Sequence, residues 1–153
     1  MIVFQKIFEE LTFLGGILFS LIIFLFFLIK KQFFYSFVLF TGLFLIYFLT
    51  FVIRIFYFKN RPKKVRYSNF LEKIDASSFP SVHAARATFL FLFFLTYFIK
   101  SLLITFLLLS LCFLVYYSRI FLKKHDYIDV LAGILLGIVS FLPFLIMEIS
   151  TIL

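Results

Sequence analysis

The sequence predicts an all-α integral membrane protein, a compact bundle of about five transmembrane helices led by a short interfacial helix. Three observations predict it. Of the 153 residues, 65% are apolar and only 14% are charged, against about 45–50% and about 25% in soluble domains. Mean hydropathy is +1.19, which excludes a water-soluble globule and, equally, a disordered chain. Finally, uncharged runs recur over 11–29, 32–53, 87–99, 101–118 and 130–147. Nothing in them alternates as barrel strands do, so helices must satisfy the backbone in lipid. The length suits one domain covering 1–153.

The elements follow in chain order. Residues 1–10 read as an amphipathic helix lying in the interface. No basic start or small-residue cleavage site marks a secretory signal. A first span covers 11–29, and Lys30-Lys31 links it to a second over 33–58. A long loop, 59–79, leads to a third span over 80–99. That run reaches the roughly 20 residues needed to cross hydrocarbon only if it starts near Pro80 and takes in His83 and Arg86. Lys100 links it to a fourth span, 101–118, and a shorter loop, 119–126, precedes a fifth over 127–147. The 28 Phe residues fit a compositional bias in which Phe stands in for Leu. With no Trp, the tyrosines serve as interface anchors. Cys112, the single cysteine, cannot form an internal disulfide.

Short links force the chain to alternate across the bilayer. One side then gathers the end of span two, the start of span three, the end of span four and the start of span five. Arg54, Arg61, Ser81, His83, Arg86, Ser118, Arg119, His125, Asp126 and Asp129 all fall there. Ionisable groups in a membrane are costly and are functional candidates by default. Arg54 and Arg61, seven apart, would share one helical stripe, and Pro62 favours a stop. Guanidinium forks match phosphate geometry, although arginines at helix ends also snorkel. Residues 77–83 read as a helix start, capped by Ser77 or Ser78 with Pro80 in the first turn. The free amides of Ser81, Val82 and His83 would then face an anion. His125 and Asp129, four apart, stack on one helix face. A carboxylate on one imidazole nitrogen leaves the other nitrogen's lone pair outward, which suits a nucleophile, and also suits a plain structural hydrogen bond. Asp126 is expected in solvent or beside Lys123 or Lys124, and Arg86 fits a site or snorkelling equally. Three arginines against Asp129 and a phosphate of about −1.5 to −2 nearly balance, so the empty site wants an anion.

These residues resemble the type 2 phosphatidic acid phosphatase superfamily. Its pattern reads Lys-x6-Arg-Pro, then Pro-Ser-Gly-His, then Ser-Arg-x5-His-x3-Asp. Here the elements are Arg54 to Arg61-Pro62, Pro80-Ser81-Val82-His83, and Ser118-Arg119 with His125 and Asp129. They lie over 54–129, with Arg54 in place of lysine and Val82 in place of glycine. The resemblance implies that His125 attacks phosphorus, that Asp129 orients it, and that His83 protonates the leaving oxygen and then activates water. It further implies that Arg54, Arg61, Ser81, Val82 and Arg119 hold the phosphate, with no metal or other cofactor. The expected partners are a lipid phosphate or diphosphate and the bilayer. An isoprenoid diphosphate comes first, phosphatidic acid or phosphatidylglycerophosphate next, and nucleic acid is not expected.

Two rivals stand beside this reading. His83, His125 and Asp129 number enough to ligate zinc in a metal-binding or transport protein, yet three arginines beside them repel a cation. A non-catalytic protein could instead bind anionic lipid through Lys59, Lys63, Lys64 and Arg66, which leaves the His-Asp pair unexplained. Sidedness stays open. The site side holds 12 of the 15 Lys and Arg, and positive-inside logic puts that side in the cytoplasm. Many relatives implied by the resemblance work on the outer face.

Overall fold

The computed structural model describes residues 2–63 and 65–152. Met1, in the expected interfacial helix, and Lys64, in the basic loop, lie outside the described residues. The chain forms α1 (Ile2–Leu11), a 3-10 turn (Thr12–Gly15), α2 (Ile17–Ile29), α3 (Phe33–Phe56), α4 (Phe70–Ala76), α5 (Val82–Tyr97), α6 (Leu102–Phe121) and α7 (Tyr127–Ile152). The fold class is as the sequence predicts: an all-helical integral membrane protein.

By length and composition, α3, α6 and α7 can each cross a membrane, and a fourth span arises if the bent pair 5–15 and 17–29 counts as one. Two of the five expected spans are therefore shorter than the sequence suggests. α2 keeps only 13 residues, because the chain turns by 41° at Gly15-Gly16. α5 has 16 residues, a rise of about 24 Å, against roughly 30 Å of hydrocarbon.

α5 is the central helix. It packs most extensively on α7 and also meets α3, α6 and the 3-10 turn. Glycines set how closely. A Cβ on Gly133 would sit 2.3 Å from the Ser81 carbonyl oxygen, and one on Gly137 would sit 2.5 Å from that of Ala85. The four-residue spacing of small residues lets two backbones touch without a hydrophobic drive between helices in lipid. On the α3 side, Gly42 makes room for the Phe89 ring, 2.0 Å from where its Cβ would stand. Around this axis Leu39, Ile46, Phe89, Phe93 and Phe141 are fully buried.

The link between α2 and α3 closes with Lys31 in the left-handed region at φ 58°. The Gln32 amide there reaches back to the Phe27 carbonyl at 2.9 Å, which satisfies a carbonyl that the helix end would otherwise orphan. The α6–α7 turn uses Lys123 in the same way, at φ 54°, and both Lys124 and His125 amides return to the Arg119 carbonyl.

Three boundary expectations change. α3 ends at Phe56, and Tyr57 is extended, so Arg54 and Arg61 do not share a helical stripe. The reason is a loop-to-loop clasp: the Ser78 amide donates to the Lys59 carbonyl at 2.8 Å, and the Lys59 amide donates to Ser77 Oγ at 3.3 Å. That clasp also occupies Ser77 and Ser78, so α5 is capped by Ser81, whose side chain accepts from the Ala84 amide. The long loop hides α4, which the sequence reading did not contain. Asn69 caps it by accepting from the Glu72 amide at 2.8 Å, and Glu72 reaches back to the Ser68 amide at 2.7 Å. This is a local reciprocal cap that the motif Ser-Asn-x-x-Glu could have revealed.

Candidate active site

A cavity of about 470 Å³ opens at the end of the bundle where α3, α5 and α6 meet the two loops. Arg54, Arg61, Val82, His83, Arg119 and His125 line it, as do Arg86, Lys124, Tyr47 and Asp75. Residues 71 positions apart in sequence thus share one cup. Ser81 and Asp129 stand directly behind it, both fully buried.

His125 sits in the α6–α7 turn, held by the backbone return to Arg119. Its Nδ1 lies 2.7 Å from the Ser78 carbonyl oxygen. A carbonyl only accepts, so Nδ1 carries the proton and Nε2 keeps its lone pair. The Asp129 carboxylate is 3.7 Å from the same Nδ1, beyond hydrogen-bond length. Sequence spacing assigned the tautomer to Asp129, whereas the geometry gives that bond to Ser78 and leaves Asp129 as a nearby negative charge. Asp129 has other partners. Lys59 Nζ donates to it at 2.8 Å, and its second oxygen accepts from the Asp126 amide at 3.1 Å. The Asp129 amide in turn donates to the Asp126 carboxylate at 3.0 Å, making a reciprocal cap on α7.

Lys59 also donates to Asp126 at 2.5 Å, so Asp126 is tied to Lys59 rather than to Lys123 or Lys124. Burial acts to lower the Lys59 ammonium. The hydrogen bonds and charges of Asp126 and Asp129 outweigh it and hold the group above the usual lysine range. Burial, reinforced by the Arg119 charge, holds His125 below the ordinary imidazole range, while Asp129 and the Ser78 carbonyl act the other way. A neutral His125 at neutral pH is the result.

The arginines divide by what they touch. Arg54, 8% exposed, donates to the carbonyls of Phe79, Ile74, Asp75 and Pro80. It thereby ties the α4–α5 connection to α3, and most of its donors are occupied. Arg61 donates to the Asp75 carbonyl at 2.6 Å and Arg119 to Thr12 Oγ1 at 3.3 Å. Among the described residues, the Nε groups of Arg61, Arg86 and Arg119 are buried without a partner. Burial, and then the charges of Arg119 and Arg61, push the Lys124 ammonium below its usual range. Among the described residues Asp75 is the only acidic side chain lining the cavity. The cup therefore offers buried, unmet donors and a concentrated positive potential, which together recruit an oxyanion.

The amide of Ser81 is not free as expected, since it donates to the Asp129 carbonyl at 2.9 Å. This bond follows from the close approach at Gly133. It leaves Val82 and His83, in the first turn of α5, as the amides without intrahelical acceptors. Sequence reasoning missed the roles of Lys59, Lys124, Tyr47 and Asp75. A lysine five residues after Arg54 gave no spacing signal toward Asp129, because the connection is made across loops.

An electropositive cup at one end of a helical membrane bundle marks a membrane protein built to receive a phosphate-like oxyanion. The chain belongs to the PAP2 superfamily, whose family model matches residues 32–149, well over half of its length. Among solved structures it is similar to the crystal structure of LpxE from Aquifex aeolicus. The TM-score is 0.73 at 23% identity, covering 97% of this chain and 86% of that one, a likeness of fold. No curated protein matches.

Proposed function

We propose that the protein is a multi-pass lipid phosphatase working through a phosphohistidine, with isoprenoid diphosphates as first substrate and phosphatidic acid or phosphatidylglycerophosphate next. The observation that carries the reading is the 2.7 Å bond from His125 Nδ1 to the Ser78 carbonyl on a ring that lines a cavity of arginines. Nε2 attacks the terminal phosphorus while the bond to the leaving oxygen breaks, and His83, protonated once the substrate's negative charge offsets the surrounding arginines, gives that oxygen its proton. His83 then takes a proton from water, the oxygen of water attacks phosphorus, and the P–N bond breaks to free phosphate and His125. Asp129 steadies the positive charge that His125 develops. Arg61 and Arg119, with the amides of Val82 and His83, meet the charge on the transferring group, and placement with charge stabilisation is most of what such a transfer requires. Arg54 and Ser81 act by holding the loop and the helix start that carry these groups.

The metal-binding alternative has less support. Among the described residues no group of three His, Cys, Asp or Glu is arranged to hold a metal, and the cavity is lined by five cationic side chains. The anionic-lipid alternative loses Lys59 to its two aspartates. The test is phosphate release by purified protein in lipid vesicles with EDTA present. Parent protein should release phosphate, and His125→Ala should lower the rate on the order of 10³-fold or more. Release by the variant at the parent rate overturns the nucleophile, and loss of parent activity with EDTA overturns the metal-free reaction.

A further inference from the structure

We infer that Arg86, held by Tyr47, forms a second phosphate subsite on the membrane side of His83, which selects lipid diphosphates over monophosphates. This deepens the phosphatase reading and rests on it. Arg86 lies three residues beyond His83 on α5, hence on nearly the same face and about 4.5 Å further along the helix. Both line the cavity. From the loop end, where α5 begins at Val82, this direction runs along α5 into the membrane-embedded part of the bundle, on the side of the substrate's lipid part.

The residue is built for a ligand. Arg86 is 3% exposed, and its Nε is buried with no partner. Nη1 donates to the Tyr47 hydroxyl, and the guanidinium stands over the Tyr47 ring at 5.6 Å from its centroid, so its position is fixed from α3. Thr50, one turn along from Tyr47 on α3 and 4% exposed, lines the same cavity with its hydroxyl buried and unpartnered. A guanidinium Nε and a hydroxyl, both unmet, mark a place for a second oxyanion. The cavity of about 470 Å³, against roughly 30 Å³ for one water, has room for two tetrahedral groups.

The chemistry gives that charge a purpose. When a monophosphate is cleaved, the leaving group is an alcohol once His83 has protonated it. When a diphosphate is cleaved, the leaving group is a lipid phosphate. The bond from the bridging oxygen to the terminal phosphorus breaks, and the electron pair stays on an oxygen of the remaining phosphate. Arg86 stands where that second phosphate has to be. Arg61 and Arg119, together with His125, serve the terminal phosphate in either case, so Arg86 affects the ratio of the two activities.

Two measurements test this on full-length protein. In the first, binding of methylenediphosphonate and of inorganic phosphate is compared by calorimetry. The parent should prefer the diphosphonate by about 10- to 100-fold, and Arg86→Met should bring the preference to within about 3-fold, with Tyr47→Phe in between. An unchanged preference in Arg86→Met, or none in the parent, overturns the subsite. In the second, kcat/KM is measured for farnesyl diphosphate and farnesyl monophosphate. The ratio should fall at least about 10-fold in Arg86→Met and recover in part in Arg86→Lys. An equal loss on both substrates assigns Arg86 a structural role and overturns the subsite. If the parent shows the binding preference but cleaves neither lipid, the phosphatase reading fails while the subsite stands.

Discussion

The two ends of the bundle hold together by different physics. At the end away from the site, Phe27, Tyr35, Phe93, Tyr97 and Phe98 join α2, α3 and the end of α5 through ring contacts of 4.8–6.1 Å. At the site end, single directional bonds join loops and helix starts: Lys59 to Asp126 and Asp129, Arg54 to four carbonyls, and Ser78 to His125. Ring contacts are many and individually modest, so they tolerate exchange. A buried donor or acceptor that loses its partner keeps its desolvation penalty. The difference teaches where a substitution will be felt.

The largest effect should come from the α5–α7 seam that supports the site end. Gly133→Leu puts a side chain 2.3 Å from the Ser81 carbonyl, so the helices must separate. A loss of about 1–3 kcal/mol or more should appear in denaturant titration, with catalytic activity falling further because Asp129 moves away from Ser81. Parent-like stability would show that the seam yields easily.

Lys59→Met comes next. It leaves two carboxylates short of a donor, and kcat/KM should fall about 10- to 100-fold. The pH profile separates this from simple damage. The parent's acid limb should lie below pH ~6.5, the ordinary histidine value, because His125 is held below it and must be neutral to attack. Removing the Lys59 charge favours protonated His125, so the limb should move to higher pH. Lys59→Arg should restore most of the activity, and an unmoved limb would detach Lys59 from His125.

The aromatic end should respond weakly. Phe98→Leu removes ring contacts to Phe27 and Tyr35, and about 0.5–1.5 kcal/mol should be lost with phosphate release unchanged. Smallest of all, Lys31→Gly relieves a left-handed lysine. It should raise stability by about 1 kcal/mol, again without effect on activity.

Legibility in the sequence divides along the same line. Helices show through composition and uninterrupted apolar runs, so α3, α6 and α7 stand out from residues alone. The short links Lys30-Lys31 and Lys100 fix which helix ends share a side, so the sequence groups His83, Arg119 and His125, and all three line the cavity. What stayed hidden depends on contacts between loops. The extended stretch after Phe56 removed Arg61 from the Arg54 stripe. The clasp of Lys59 to Ser77 and Ser78 moved the cap to Ser81. The tautomer of His125 came from a main-chain carbonyl 47 residues away. Side-chain spacing along a helix cannot reveal an acceptor that every residue carries.

The glycine seam also has a mechanical consequence. With Gly133 and Gly137 seated against carbonyls, α5 and α7 cannot slide past each other without lifting apart, so they behave as one fixed jaw carrying Asp129 and His83. Any breathing that admits a bulky head group must come from the opposite wall, where α4 rests on α3 with Phe70 exposed and Leu71 at the cavity's edge. Stiffening α4 (Phe70–Ala76) should then slow turnover while leaving the chemistry on the jaw intact.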